Sequence, residues 1–338
     1  RGDDGTPKRA VGIHIDINER KASEHSLETE RDMFAEGPAV VFKWRNEDGW
    51  PVEYVSDNVT ETFGYTPEQL QSGAVPYDDL VHDDDLSRVI SEVEANSDDT
   101  TERFSHDPYR MVTADGEVKW VTDNTKIVRE DGEPVHYLGY LIDITERKRL
   151  EQRLRALQRV ASELATARSV EEIGETAVDA ATDVLGLDLT GIWSYDERAD
   201  ALEPITETEL SRTVIGDSPR FEPGDSLAWE AFDVGELRTY DDLSGIEGRY
   251  NAETQIQSQI LLPLGEHGLM STGSTEPREF TEMDADLFMI LGAAVEAAMG
   301  RAERGRGLRR ADARAGRVGS VAGQAPPHSR PGPNGSPV

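Results

Sequence analysis

The sequence predicts an α+β protein of two domains. An antiparallel five-stranded sheet with short helices comes first, a second sheet domain with helices at both of its chain ends comes next, and one signalling helix joins them. Three observations predict this. Between residues 37 and 148, two strand-like runs, several short helical patterns and three more strand-like runs follow one another. A 21-residue segment at 128–148 is already written at 1–21, so the repeated unit is a whole domain. From 169 to 300, strand-like runs lie between amphipathic helical patterns, and 338 residues suffice for two ordinary cores.

The repeat marks the domain ends. Aligned without gaps, "RGDDGTPKRAVGIHIDINERK" and "VREDGEPVHYLGYLIDITERK" share ten of 21 positions, among them Gly12/Gly139, Asp16/Asp143 and Glu19/Glu146. Residues 1–21 therefore read as the C-terminal end of an upstream copy, and 22–36 as a linker helix. The chain starts without Met and inside a repeat, so it reads as part of something longer. In the repeated unit a "DG" turn feeds a strand that runs straight into a charged helix. Asp143 can accept a backbone N–H as the helix cap, and Glu146 can reach back as in a capping box. A strand joined to a helix without a flexible linker makes Asp143, Ile144, Thr145 and Glu146 the candidate signal-coupling residues.

Residues 37–148 form the first complete domain. "AVVFKWR" (39–45) and "VEYVSDN" (52–58) are strands across the turn-rich "NEDGWP". Helical pieces follow at "VTETFG", at "TPEQLQSG" with Thr66 as cap, and at 84–96. "RFSHDPYRMVT", "VKWVTDNTKIVR" and "PVHYLGYLIDI" close the sheet across "ADGE" and "EDGE". Residues 149–168 are the signalling helix. Leu150, Leu154, Leu157, Ala161 and Leu164 fall at spacings of 4-3-4-3, which fits a parallel pair of helices and equally fits one amphipathic helix on its own domain.

In 169–300, with its first helix starting at about 155, Ser169 caps a helix with Glu172 three residues on. Strands "LTGIWSYD" and "ALEPITETE", a Gly/Pro-rich stretch with a helix near 226–234, two strands around "GEHG" and a long helix after Thr281 complete it. His267, in that turn, reads as an exposed turn residue. Residues 301–338 are the end of this helix and a tail. After Asp312 the acids stop, and the Ala/Gly/Pro/Arg-rich 313–338 reads as disordered. It is either a linker or a stretch translated out of frame, where a transmitter domain would begin.

Charge and composition exclude whole classes of function. Acids number 67 against 35 bases, giving a net charge of −32, and only six of the bases are Lys. Such a surface repels nucleic acid and anionic membranes and suits a salt-rich cytoplasm. No apolar run approaches the ~20 residues of a membrane span, so the expected location is cytoplasmic. The absence of cysteine removes disulfides, thiolate catalysis, Cys-ligated metals and thiol attachment of a chromophore. There is no phosphate loop, no ATP-binding box and no helix-turn-helix. "FSHDPYR" (104–110) superficially matches a kinase phospho-acceptor box, but Pro108 and the hairpin that follows make His106 a strand residue.

Residues "YVSDNVTETFGYTPEQL" (54–70), "DLVHDDDLSRV" (79–89), "YRMVTADGEVKWV" (109–121) and "GYLIDITERK" (139–148) resemble the PAS domain with its terminal PAC segment. The one departure, "VHDDD" for His-Pro-Asp-Asp, loosens a turn. "FEPGDSLAWEAFDVGE" (221–236) and "SQILLPLGEHGLMSTGSTEPREFTEMDADL" (258–287) resemble the GAF domain. The resemblance implies an unidentified small-molecule ligand and leaves its cofactor unknown. Haem-binding relatives carry a His on the long helix, which 84–96 lacks; His82 lies just before it, in the turn. The bilin-binding and methionine-sulfoxide-reducing relatives depend on Cys.

The chain as a whole is similar to the input part of haloarchaeal multi-sensor histidine kinases. That implies a homodimer through the signalling helices and a response regulator reached through a kinase domain absent here. No catalytic residue and no metal ligand is expected within the chain. Two other readings stand: the sensor part of a bacterio-opsin-activator-type transcription regulator, and a stand-alone ligand-binding adaptor.

Overall fold

The structure is a computed structural model that describes residues 37–97, 101–216, 218–251, 254–277 and 280–322, the last helix as backbone alone after residue 305. The expected upstream remnant (1–21) and linker helix (22–36) lie outside the described residues. The chain divides into two compact units, residues 1–150 and 151–338.

The first unit opens with β1 (Ala39–Arg45) and β2 (Val52–Val55). Three helices follow: α1 (Val59–Phe63), α2 (Pro67–Gln71) and α3 (Asp83–Asn96). Thr66 caps α2 with a complete capping box to Gln69. The His82 side chain caps α3 by accepting the Asp84 N–H at 3.3 Å. The sheet then continues through β3 (Arg103–Ser105), β4 (Tyr109–Val112), β5 (Val118–Glu130) and β6 (Glu133–Asp143). Strand order is β2-β1-β6-β5-β3, with β4 also on β5, all antiparallel.

The sheet thus has six strands where the sequence predicts five. The sequence predicts one strand over 103–113, but Pro108 has no N–H to give the ladder, so pairing stops after Ser105 and resumes at Tyr109. His106 lies in that gap, outside the strands, and is buried at 6% exposure. The core joins Val40, Phe42 and Trp44 of β1 to Leu70, Leu80 and Val89 from the helical side.

Helix α4 runs from Thr145 to Thr166. Along its apolar stripe Leu157 and Leu164 are buried while Leu154 stays 36% exposed. Next come α5 (Val170–Ala180), β7 (Leu189–Asp196), β8 (Ala201–Glu207), α6 (Glu209–Ile215) and α7 (Leu227–Val234). They are followed by β9 (Arg238–Tyr240), β10 (Ser258–Pro263), β11 (Gly268–Ser274) and α8 (Glu282–Ala322). This second sheet has the order β8-β7-β11-β10-β9.

Both faces of the second sheet are covered, so Leu189 to Trp193 is an unbroken buried run. Ile192 faces α5, where it lies close to Gly174, and Trp193 faces the cluster containing Trp229 of α7. Two expectations are corrected here. Helix α8 continues to Ala322, past the point where a disordered tail was expected. Its added stretch "ARAGRVGSVA" has no Pro to break the helix, and its three Ala work against the two Gly that disfavour it. His267 is not an exposed turn residue. Its side chain is 14% exposed, packs against Gly300 and lies 2.9 Å from Glu303 of α8.

Candidate functional sites

Three places in the two units bring chemistry-bearing side chains together. The first is a cavity of about 20 Å3 between α3 and the first sheet, room for a single water. Its wall is aromatic, with Trp44, Tyr77, Phe104 and Tyr109, and its floor is the buried pair Asp123 and Thr125. Asp123 and Thr125 alternate with outward residues along β5, which turns both inward.

A hydrogen-bonded chain crosses this cavity. Tyr109 donates its hydroxyl to Asp123 Oδ2 at 3.0 Å, so the Tyr77 hydroxyl, 3.1 Å away, donates to Tyr109. Thr125 donates to Asp123 Oδ1 at 2.9 Å. On the other side His106 Nδ1 lies 2.7 Å from Glu92 Oε2, and its Nε2 lies 3.9 Å from Asp123 Oδ2. Arg88 donates to Glu92 Oε1 at 2.5 Å.

Burial pushes the Asp123 carboxyl above its ordinary range and both tyrosines well above theirs. Burial also works against an ionised Glu92, but the bonds from His106 and Arg88 outweigh it and hold that carboxyl below the usual range. Trp44 Nε1 is buried here without a hydrogen-bond partner. The arrangement can hold a small hydrogen-bonding guest or move a proton along the chain.

The second place is the junction of β6 and α4, where all four candidate coupling residues lie. Asp143 Oδ1 accepts the Thr145 N–H at 2.8 Å and the Thr145 hydroxyl at 2.6 Å. The same hydroxyl accepts the Trp120 N–H of β5 at 2.9 Å, and Ile144 donates its N–H to the Trp120 carbonyl at 2.8 Å. Lys119 Nζ lies 3.2 Å from Asp143 Oδ2. Burial opposes the charge on Asp143, yet Thr145 and Lys119 keep its carboxyl below the usual range.

The capping box expected between Asp143 and Glu146 does not form. The first intrahelical bond runs from Lys148 N–H to the Ile144 carbonyl, which makes Ile144 the cap and moves the third helical position to Arg147. Glu146 instead pairs with Arg149 at 2.7 Å, and Arg149 reaches Glu117 of β5's lead-in turn at 3.3 Å. Thr145, 6% exposed, is the knot that ties strand β5 to both sides of the junction.

The third place is a pocket of about 100 Å3 in the second unit. Trp193 of β7, Phe221, Leu243 and Tyr250 supply its apolar wall, and Arg249 lines it. Sequence reasoning missed this pocket and the Asp123 chain. The signal for Asp123 was an acid at an inward position of a strand, visible only once the register was known.

Comparison with known families follows the geometry. Residues 52–141 match the family model described as the PAS fold, and residues 167–299 match the one described as the GAF domain. The chain is a PAS–GAF protein. Over 157 residues it is 41% identical to the methyl sulfide methyltransferase-associated sensor of Methanosarcina acetivorans. That match covers 45% of this chain and 16% of the relative, so the chain spans a small part of the relative's length.

Among solved structures, the GAF domain of an Acinetobacter phosphoenolpyruvate-protein phosphotransferase is 18% identical, with a TM-score of 0.41. It covers 45% of this chain and 95% of that one. The chromophore-binding domain of a bacteriophytochrome from R. palustris is 13% identical over 80% of this chain and 95% of that one, with a TM-score of 0.38. Among the described residues of the PAS–GAF chain no cluster of acids and histidines is placed to hold a metal, and no helix is long and apolar enough to cross a membrane.

Proposed function

We propose that this chain is the input region of a cytoplasmic signal-transduction histidine kinase. In this reading a stimulus met by the PAS or GAF unit changes the sheet, and the β6–α4 junction carries the change into the helix. The observation that carries the proposal is the bonding of Thr145. One hydroxyl and one amide join Trp120, Asp143 and the first turn of α4, so a shift of β5 against β6 moves the start of the helix. Asp143, Ile144 and Thr145 are the coupling residues, and Glu146 acts on the surface through Arg149. Such a two-state element, biased by a ligand and read by a helix, is the physical form a sensor needs.

The kinase and its response regulator belong to protein outside this chain. The active form is a homodimer through α4, in which Leu154, exposed on the apolar stripe, meets its counterpart. Two experiments test this. Reading the native gene on from residue 312 in all three frames is expected to reveal a phospho-acceptor histidine helix and an ATP-binding domain; a helix-turn-helix, or no further domain, overturns the kinase assignment. In the parent protein, glycines at Asp143 and Thr145 are expected to uncouple the stimulus from autophosphorylation; an unaltered response overturns the coupling role.

A further inference from the structure

We propose that the GAF pocket receives a short-chain aliphatic carboxylate, seated by its charged end on Arg249. The proposal deepens the sensor reading above by naming the ligand chemistry of one of its two units.

The argument starts from a charge without a partner. Arg249 lines the pocket, its Nε is buried with no hydrogen-bond partner, and no ion pair or hydrogen bond holds its guanidinium among the described residues. Among the described residues Arg88, Arg110, Arg149, Arg212 and Arg220 each have a carboxylate within 3.3 Å. No Asp or Glu stands among the pocket's described lining residues. Among the described residues this half-buried cation has no counter-charge, and an anion from solution would supply one. The guanidinium presents paired N–H groups that match the two oxygens of a carboxylate.

Several other polar groups on the wall are already engaged. Ser226 accepts the Trp229 N–H at 3.1 Å, Gln259 donates to Ser271 at 3.2 Å, and the Trp193 indole N–H donates to the Pro219 carbonyl at 2.8 Å. Trp193 lies flat over Gly191, where an added Cβ would come within 2.6 Å of its ring. A ligand on Arg249 also meets an apolar face formed by Trp193, Phe221 and Leu243. A space of about 100 Å3, smaller than the ~150 Å3 cavity that takes benzene, favours a small guest. Propionate and butyrate combine the charge with a short apolar tail.

The loop bearing Arg249 is anchored at both ends. Gly248 accepts the Leu227 N–H of α7 at 2.9 Å, and Leu243 donates to the Gln257 carbonyl at 2.7 Å.

The test is calorimetric titration of the whole 338-residue protein with butyrate and propionate. The uncharged probes are butyramide and propionamide, and inorganic phosphate is the anion without an apolar tail. Saturable one-to-one binding of butyrate is expected, with butyramide and phosphate each at least tenfold weaker. Arg249→Gln should lose at least tenfold in butyrate affinity with an unchanged unfolding transition, and Arg249→Lys should recover part of it. Absence of binding by both acids overturns the proposal, as do equal binding of acid and amide or full affinity in Arg249→Gln. None of these outcomes touches the kinase assignment, which stands or falls on the downstream gene sequence.

Discussion

Tyr109 donates to Asp123 Oδ2 at 3.0 Å in a place where the two side chains are only 1% and 3% exposed. Burial raises the Asp123 carboxyl, and the sign of the consequence follows. The unfolded chain releases this proton at the ordinary carboxylate value while the folded chain still holds it. Stability contributed by Asp123 is therefore complete at acid pH and is lost as pH rises through the window above the ordinary value. Asp123→Asn keeps an acceptor for Tyr109 but has no proton to lose. Within that window the stability of the variant relative to the parent should improve by up to about 1.4 kcal/mol per pH unit. Urea unfolding across a pH series checks this, and a difference independent of pH would refute it.

The opposite sign is expected at the other end of α3. Asp85 Oδ2 accepts the Arg110 backbone N–H at 2.8 Å and its Nε at 2.9 Å, and Oδ1 accepts Nη2 at 3.1 Å. The Arg110 side-chain bond is the chief cause of a lowered Asp85 carboxyl. Its contribution is present above the ordinary carboxylate value and disappears as pH falls through the lower, folded value. Asp85→Asn should cost about 1–3 kcal/mol near neutrality, the range for a buried bond to a charged group. Parent and variant should converge in acid. A cost that persists unchanged at low pH would assign it to packing instead.

Gly139 is one of the residues shared by both copies of the internal repeat, and the structure gives a steric reason. A Cβ at this position would stand 2.7 Å from Trp44 Cζ3 and 2.9 Å from Thr125 Oγ1, between two residues of the cavity wall. Gly139→Ala should therefore destabilise the PAS unit by about 1–3 kcal/mol through overpacking. It should also alter the near-UV signal of Trp44. Gly132, with nothing within 4 Å of an added Cβ but φ at +91°, should give a cost from backbone conformation without that spectral change.

These positions show what the chain announces locally and what only the fold reveals. Caps at Thr66, Ser169, Ser226 and Thr281 were legible, or their helices were, because a cap is a contact between residues three apart. Helix α6 was missed. It has seven residues, and its Thr- and Ile-bearing sequence continues the pattern of β8, so only the Thr208 bond to Ser211 N–H separates them. The strand-to-helix junction was legible as a place, whereas its wiring was not. Asp143 bonds the residue two ahead, and the tie to Trp120 spans 25 residues that no local pattern connects. Arg249 was invisible for the same reason. Its loop has no periodicity, and an unpaired charge is defined by what surrounds it in space.

The net charge of −32 carries the last prediction. Acids are spread along the chain, and most of the described ion pairs are surface pairs such as Lys43–Glu53 and Arg220–Glu203, each worth little by itself. What dominates at low ionic strength is then repulsion among unpaired carboxylates, which the compact state feels more than the extended one. Salt screens it, with a Debye length falling from about 10 Å at 0.1 M to about 3 Å at 1 M. The midpoint of thermal unfolding should rise steeply with potassium chloride up to roughly molar concentration, and most of the rise should come before the screening length drops below the spacing of surface charges. Replacing chloride by an equal ionic strength of a different monovalent salt should give the same curve. A midpoint flat from 0.05 M upward would mean that the acids are already neutralised within the fold, which the excess of 67 acids over 35 bases argues against.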